Sequence, residues 1–252
     1  MNPTVFYNQI CEEIWQFYED HRARLSEAFL KAGSRLASPW LPPPPDRCGS
    51  QVGILFVGLS PKLLNEYSYA ASLPEAKNKA KEYRYVTSGE RRNIQLNYDS
   101  YYSPLLEMAE TVNPGSGAWH QIRPGIKNSL VEFTDFCHFP AIRHEILRQV
   151  YEVVPELRKH CRKILEFEIR LYKPPVVVAN GKDTSLDMLE MHCKPPSPAF
   201  KQGKVLKSFM GIEGCNVHLF RFLGWTMQDH FTRNRVLDEF RRSVTNPDFL
   251  HC

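Results

Sequence analysis

The sequence predicts an α/β fold with a parallel sheet, on three observations. Four short runs, "VGILFVG", "SLVEFTDF", "PPVVVANG" and "NVHLFRF", are β-branched or aromatic and nearly free of charge, as strands buried on both faces are. Helical patterns lie between them, which calls for crossover connections and parallel pairing. The length of 252 residues suits one large α/β domain or two small ones, and 42% hydrophobic with 24% charged residues is ordinary for a globular protein.

The chain begins with "TVFYNQICEEIWQFYEDHRARLSEAFLKAG", which places Phe6, Ile10, Ile14, Phe17 and Tyr18 on one helical face, with Leu25, Phe29 and Leu30 continuing it. Gly33 stands where such a helix stops. "SPWLPPPPDRCGS" forbids helix and reads as a stiff connector. Residues 1–50 are thus expected to form a helical lead-in packed on an α/β domain of residues 51–252. The first predicted strand follows, then a long insertion at about 65–125 without strong periodicity, expected to hold short helices or functional loops. After the second strand, "VPELRKHCRKILEFEIRLYKPP" is a clear crossover helix. Pro155 suits its first turn, Leu157, Cys161, Ile164, Leu165 and Ile169 make its apolar stripe, and Pro174 ends it. The last helix, "HFTRNRVLDEFRRSV", offers Thr232 as a cap and Val236, Leu237, Phe240 and Val244 to the core.

Composition narrows the function classes. No apolar run is long enough to span a bilayer, and the N-terminus lacks the layout of a secretory signal, so a cytoplasmic protein is expected. Seven scattered cysteines without a CxxC pair suggest reduced thiols rather than a disulfide framework or a zinc or iron–sulfur set. A net charge of +4 is compatible with nucleic acid without arguing for it.

In open parallel sheets ligands bind beyond the carboxyl ends of the strands. The loops there read "GLSPK", "TDFCHFP", "NGKDTS" and "LGWTMQDHF". In the first, Gly58 gives backbone room, Ser60 follows and Pro61 fixes the turn, letting amides approach a bound group. Ser60 has no identifiable base partner and the motif is not the Gly-x-Ser-x-Gly elbow, which speaks against a Ser-His-Asp hydrolase. In the second, Asp135 could accept a substrate donor or offset transition-state charge; equally, it could cap the next turn with His138 packed beneath it. The third gives Gly181 for the turn, Asp183 or Thr184 as cap, and Lys182 at a helix N-terminus, either a DNA-phosphate contact or a capped turn with a solvated lysine. In the fourth, Leu223, Trp225 and Met227 beside Arg221, Gly224 and His230 form either a wedge for a base stack or a plug on the domain's own core. Within the insertion, Lys77, Lys79, Lys81, Arg84, Arg91 and Arg92 alternate with Tyr83, Tyr85 and Tyr98, a mixture that tracks a nucleic-acid backbone or forms a solvated helix face.

The order of these loops resembles the uracil-DNA glycosylase superfamily over residues 52–242. "VGLSPK" resembles its water-activating motif, with Ser60 where members have Asp or Asn; "VEFTDFCHFP" resembles the strand whose Asn reads the base, with Asp135 in that place. "KPPVVVANGK" and "DHFTRNRVL" resemble its third strand and the start of its final helix. The resemblance implies a three-layer α/β/α sandwich with a central four-stranded parallel sheet that flips a base and cleaves its N-glycosidic bond. It implies catalytic roles for Ser60 and Asp135. Gly58, Leu59, Pro61, Lys62 and Tyr67 would meet the substrate from the first loop, Phe136 and His138 from the second and Asn180 from the third. Lys182, Arg221, Leu223, Gly224, Trp225 and His230 would hold DNA. The superfamily's last-loop His is absent, "RFLGW" standing instead, with Arg221 or His230 proposed as its substitute; the glycosylase reaction that the resemblance implies needs no metal or organic cofactor.

Asp135 bears on the base. An ionised carboxylate only accepts hydrogen bonds, so it opposes a uracil carbonyl but gains from a cytosine amine. A monomeric glycosylase for a cytosine-type or modified base, in repair or antiviral defence, is the expectation; a protonated Asp135 would also accommodate uracil. Two rivals stand beside it: a catalytically inactive DNA-binding module, and a nucleoside or nucleotide hydrolase.

Overall fold

Residues 3–42, 53–61, 69–86, 107–108, 111–112, 131–141, 144–193, 204–220 and 230–245 are described by the computed structural model. Its helices are α1 (Pro3–Lys31), α2 (Leu73–Val86), α3 (His144–Val153), α4 (Pro155–Tyr172), α5 (Lys182–His192) and α6 (His230–Thr245). Its strands are β1 (Ile54–Gly58), β2 (Val131–Asp135), β3 (Val176–Asn180), β4 (Lys204–Leu206) and β5 (Asn216–Phe220). Two compact units divide the chain: Met1–Asp46, Leu59–Arg84 and Asp135–Leu171 form one, and Arg47–Gly58, Tyr85–Thr134 and Tyr172–Cys252 the other.

The sheet belongs to the second unit. Every residue of β3 is buried, and a buried strand must pair along both edges to satisfy its backbone. It does so in parallel with β1 (Ile54 opposite Val176) and β5 (Val176 opposite Asn216). The strand order is β2-β1-β3-β5-β4, an α/β fold with a mixed, mostly parallel sheet. From β1 the chain visits β2 on one side and β3 on the other, so the order reverses between β1 and β3, the kind of switch point at which open sheets leave a crevice.

All four predicted strands are present, but the four-stranded parallel sheet needs correction, because β4 adds a fifth strand antiparallel to β5. It spans only 3 residues and opens on a lysine, too little for a period-2 pattern to register. The connection to β5 is tight, with Ser208 and Met210 at φ 45 and 50 and Gly211 and Gly214 at φ 76.

One sheet face carries Ile54, Phe56, Val176, Val178 and Phe220, since alternate residues point the same way. Val236, Leu237 and Phe240 of α6 pack on it. His218 shares that face, tied to Ser243 of α6 by a 2.8 Å hydrogen bond. The α6 helix starts at His230, so Thr232 lies inside it rather than capping it.

In the first unit α1 lies along α4. Phe17 stacks on His160 at 4.1 Å, Phe6 meets Phe167 at 5.7 Å, and Lys163 pairs with Glu13 at 2.6 Å. Ile10, Ile14, Leu25 and Phe29 are buried as predicted, whereas Leu30, one residue beyond Phe29 and so turned about 100° away, is 74% exposed. Gly33 ends α1 at φ 78: its N–H reaches the Leu30 carbonyl and the Ser34 N–H the Phe29 carbonyl, a Schellman closure. Pro155 opens α4, and its whole predicted stripe is buried. Among the described residues no helix is long and apolar enough to cross a membrane.

Candidate functional site

β1 is buried along its apolar residues and half-buried at Gly58, after which the chain turns at Ser60–Pro61. Pro61 has no N–H, so the turn can be anchored there only through its carbonyl. That carbonyl accepts the Ala141 N–H at 3.1 Å, and the Leu59 carbonyl accepts the Cys137 N–H at 2.8 Å. Ser60 is therefore bracketed by two backbone bonds to the segment that follows Asp135. Both segments lie in the first unit, and the two bonds join the loops after β1 and β2 into one piece of structure.

Asp135 closes β2 at the head of that segment. The residue as a whole is half-buried, while its carboxyl lies among protein atoms. Desolvation pushes its pKa from 3.8 up to about 7; His138 opposes the rise and Glu168 adds to it. At neutral pH the group is thus divided between an acid that donates and a carboxylate that accepts, the condition suited to moving a proton or reading either kind of partner.

His138, expected to meet substrate, is instead occupied by the fold. Its carbonyl accepts the Trp40 N–H at 2.8 Å and its Nδ1 faces the Trp40 carbonyl at 2.9 Å, so Nδ1 must carry a proton and donate. Its Nε2 lies 3.1 Å from Glu168 Oε1. Burial alone would lower the pKa of His138, but the charge and hydrogen bonding of Glu168, with Asp135 and Cys137 behind, outweigh it and raise it. With Nδ1 donating to Trp40 and Nε2 against Glu168, no nitrogen of the ring is left for a base.

Glu168 was not legible as a site residue, although the signal existed. It lies on the stripe of α4, four residues after Ile164, and is wholly buried. A carboxylate on a buried stripe needs a charged partner, and His138 is that partner. Cys137 and Cys161, both buried and outside any disulfide, lie beside the pair, and their side chains meet.

The remaining predicted residues separate into groups. Leu59 and Pro61 are buried, and Phe136 has no solvent-reachable surface, so its ring belongs to the interior rather than to an open pocket wall. In the second unit Asn180 is buried at the end of β3 opposite Phe220, and Lys182 is exposed as the first residue of α5. Neither Asp183 nor Thr184 caps α5. Gly181 takes that place at φ 112, a conformation a side chain would resist, and without a side-chain hydrogen bond. Of the insertion's cations, Lys77 reaches Asn8 at 2.9 Å and Lys79 pairs with Glu75 at 2.8 Å. Lys62, Tyr67, Arg91, Arg92, Tyr98, Arg221, Leu223, Gly224, Trp225 and Met227 lie outside the described residues, as do the side chains of Lys81, Tyr83, Arg84, Tyr85 and His230. Among the described residues no group of three or more His, Cys, Asp or Glu side chains is placed to hold a metal ion.

Comparison of the sequence with protein-family models and with curated proteins finds no match in either.

Proposed function

We propose that the protein is a divergent, monomeric member of the uracil-DNA glycosylase superfamily, a three-layer α/β/α enzyme that extrudes a cytosine-type or modified base from DNA and hydrolyses its N-glycosidic bond. The observation that carries this reading is the pair of backbone bonds, Leu59 to Cys137 and Pro61 to Ala141, that holds the Ser60 turn beside the segment led by Asp135. The strand reversal between β1 and β3 and the resemblance of the four loops support it.

In this mechanism the C1′–N bond breaks with its electron pair leaving on the base, as positive charge develops on the sugar. Water oxygen joins C1′, and a water proton ends on the departing base. The Ser60 turn places the water; Asp135 holds the base or offsets the sugar's charge. As a carboxylate Asp135 accepts from a cytosine amine, and as an acid it donates to a carbonyl. Lys182, with the Arg221–Trp225 loop, would meet the DNA backbone and the gap left in the stack.

Purified protein given duplexes carrying uracil, cytosine or bulky modified cytosines should leave abasic sites in at least one, and an Asp135→Asn variant should lose turnover while still binding. No abasic sites in any duplex removes the enzymatic claim. The inactive-module reading draws on His138, whose nitrogens are both taken; tight binding of an odd base without release would favour it. In either case a repair or antiviral setting within the cytoplasm is proposed.

A further inference from the structure

A wholly buried glutamate facing a histidine three residues past Asp135 has no role in the mechanism above. We infer that Glu168 is a positioning residue for the proposed site: it locks the His138 ring between α4 and the Trp40 backbone, and so fixes the loop that Asp135 heads and that clasps the Ser60 turn. Three contacts compose the chain of command. Glu168 Oε1 stands 3.1 Å from His138 Nε2; His138 Nδ1 donates to Trp40 at 2.9 Å; Trp40 N–H returns to the His138 carbonyl at 2.8 Å. Cys137, just before His138, and Ala141, three residues after it, carry the bonds to Leu59 and Pro61. A neutral His138 would still satisfy Trp40, so the carboxylate's particular contribution is the second proton on the ring.

Several titratable groups surround this ring. Asp135 and Cys137 come from its own loop, Glu168, His160 and Cys161 from α4, and Tyr151 of α3 reaches Cys137. Replacing Glu168 by Gln removes two influences on Asp135. The direct repulsion disappears, which favours ionisation; the imidazolium loses its partner and reverts to a neutral ring, which disfavours it. The ring is held at both nitrogens three residues from Asp135, and the inference is that loss of its charge outweighs loss of the repulsion. The inference rests on the glycosylase reading for the meaning of the site, but its test requires no substrate.

In the full-length protein at pH 7, nitrogen NMR should show both nitrogens of His138 protonated. Carboxyl-carbon NMR of Asp135 should titrate at higher pH in Glu168→Gln than in wild type, by about one pH unit. Glu168→Asp should restore most of the difference. If Glu168→Gln does not fold, the wild-type His138 measurement decides alone. A neutral His138 in the wild type overturns the inference, as does an Asp135 titration that stays in place or moves downward in the variant. Should Asp135 move upward while neither protein releases any base, the positioning role stands and the glycosylase reading falls.

Discussion

Asp135 ties the fold's stability to pH in a direction opposite to that of most aspartates. Its folded pKa of about 7 stands above the 3.8 of the free group, so the folded chain holds a proton that the unfolded chain releases. Stability is therefore fully present below pH 3.8, declines as pH rises toward 7, and is level beyond. Asparagine resembles the protonated acid in shape and cannot ionise, so Asp135→Asn should remove that decline. At about 1.4 kcal/mol per pH unit, the full interval corresponds to about 4 kcal/mol. Because the residue is only half-buried, about 2 kcal/mol is the expectation. Urea unfolding of both proteins at pH 5, 6, 7 and 8 measures it. The variant's advantage should grow from pH 5 to 7 and then hold; that window covers about two thirds of the interval, about 1.2 kcal/mol, so thermal unfolding should show Tm raised by about 2–5 °C at pH 8 relative to pH 5. Stability curves that run parallel across this range would show that the carboxyl is not held protonated, and the account of the site's electrostatics would fail with it.

Other predictions concern packing, backbone and base choice. Phe240→Ala should cost about 3–5 kcal/mol in urea unfolding, since its ring is wholly buried between α6 and the sheet face. Gly33→Ala meets open space, so its cost of about 1–2 kcal/mol should come from the positive φ alone and leave the packing of α1 intact by near-ultraviolet circular dichroism. On the glycosylase reading, preference for cytosine-type over uracil-type bases should rise with pH through about 7, as Asp135 loses its donor; the acceptor clash of about 1–3 kcal/mol corresponds to roughly 5- to 150-fold in relative release rate. A flat ratio from pH 6 to 8 would detach Asp135 from base reading.

What the sequence displayed, it displayed through apolar pattern. The run "VVVAN" is buried end to end, and the α4 stripe from Leu157 to Ile169 is buried position by position. β4 escaped because three residues cannot show a period, and because the hairpin beyond it relies on positive φ at Ser208 and Met210, residues that do not advertise it as glycine does. The site was half legible. Ser60, Asp135 and their loops stand out at strand ends, but the bonds that join them run between backbone atoms, which any residue type supplies. The Trp40–His138 clasp spans 98 positions for the same reason without trace. Glu168 could have been found, as a charge where the stripe required an apolar residue. The fate of His138 could not, because it depends on what α4 and residue 40 bring to it.

The clasp at Trp40 changes how the start of the chain should be regarded. Residues 3–42 are not a handle that can be trimmed for convenience: they carry the carbonyl on which the His138 ring leans, and Ser38 also anchors the Ala70 amide at 2.9 Å. A truncation beginning at residue 51 would open the buried His138–Glu168 pair to water and loosen the loop that holds the Ser60 segment. The N-terminal segment is a buttress for a loop encoded far downstream of it.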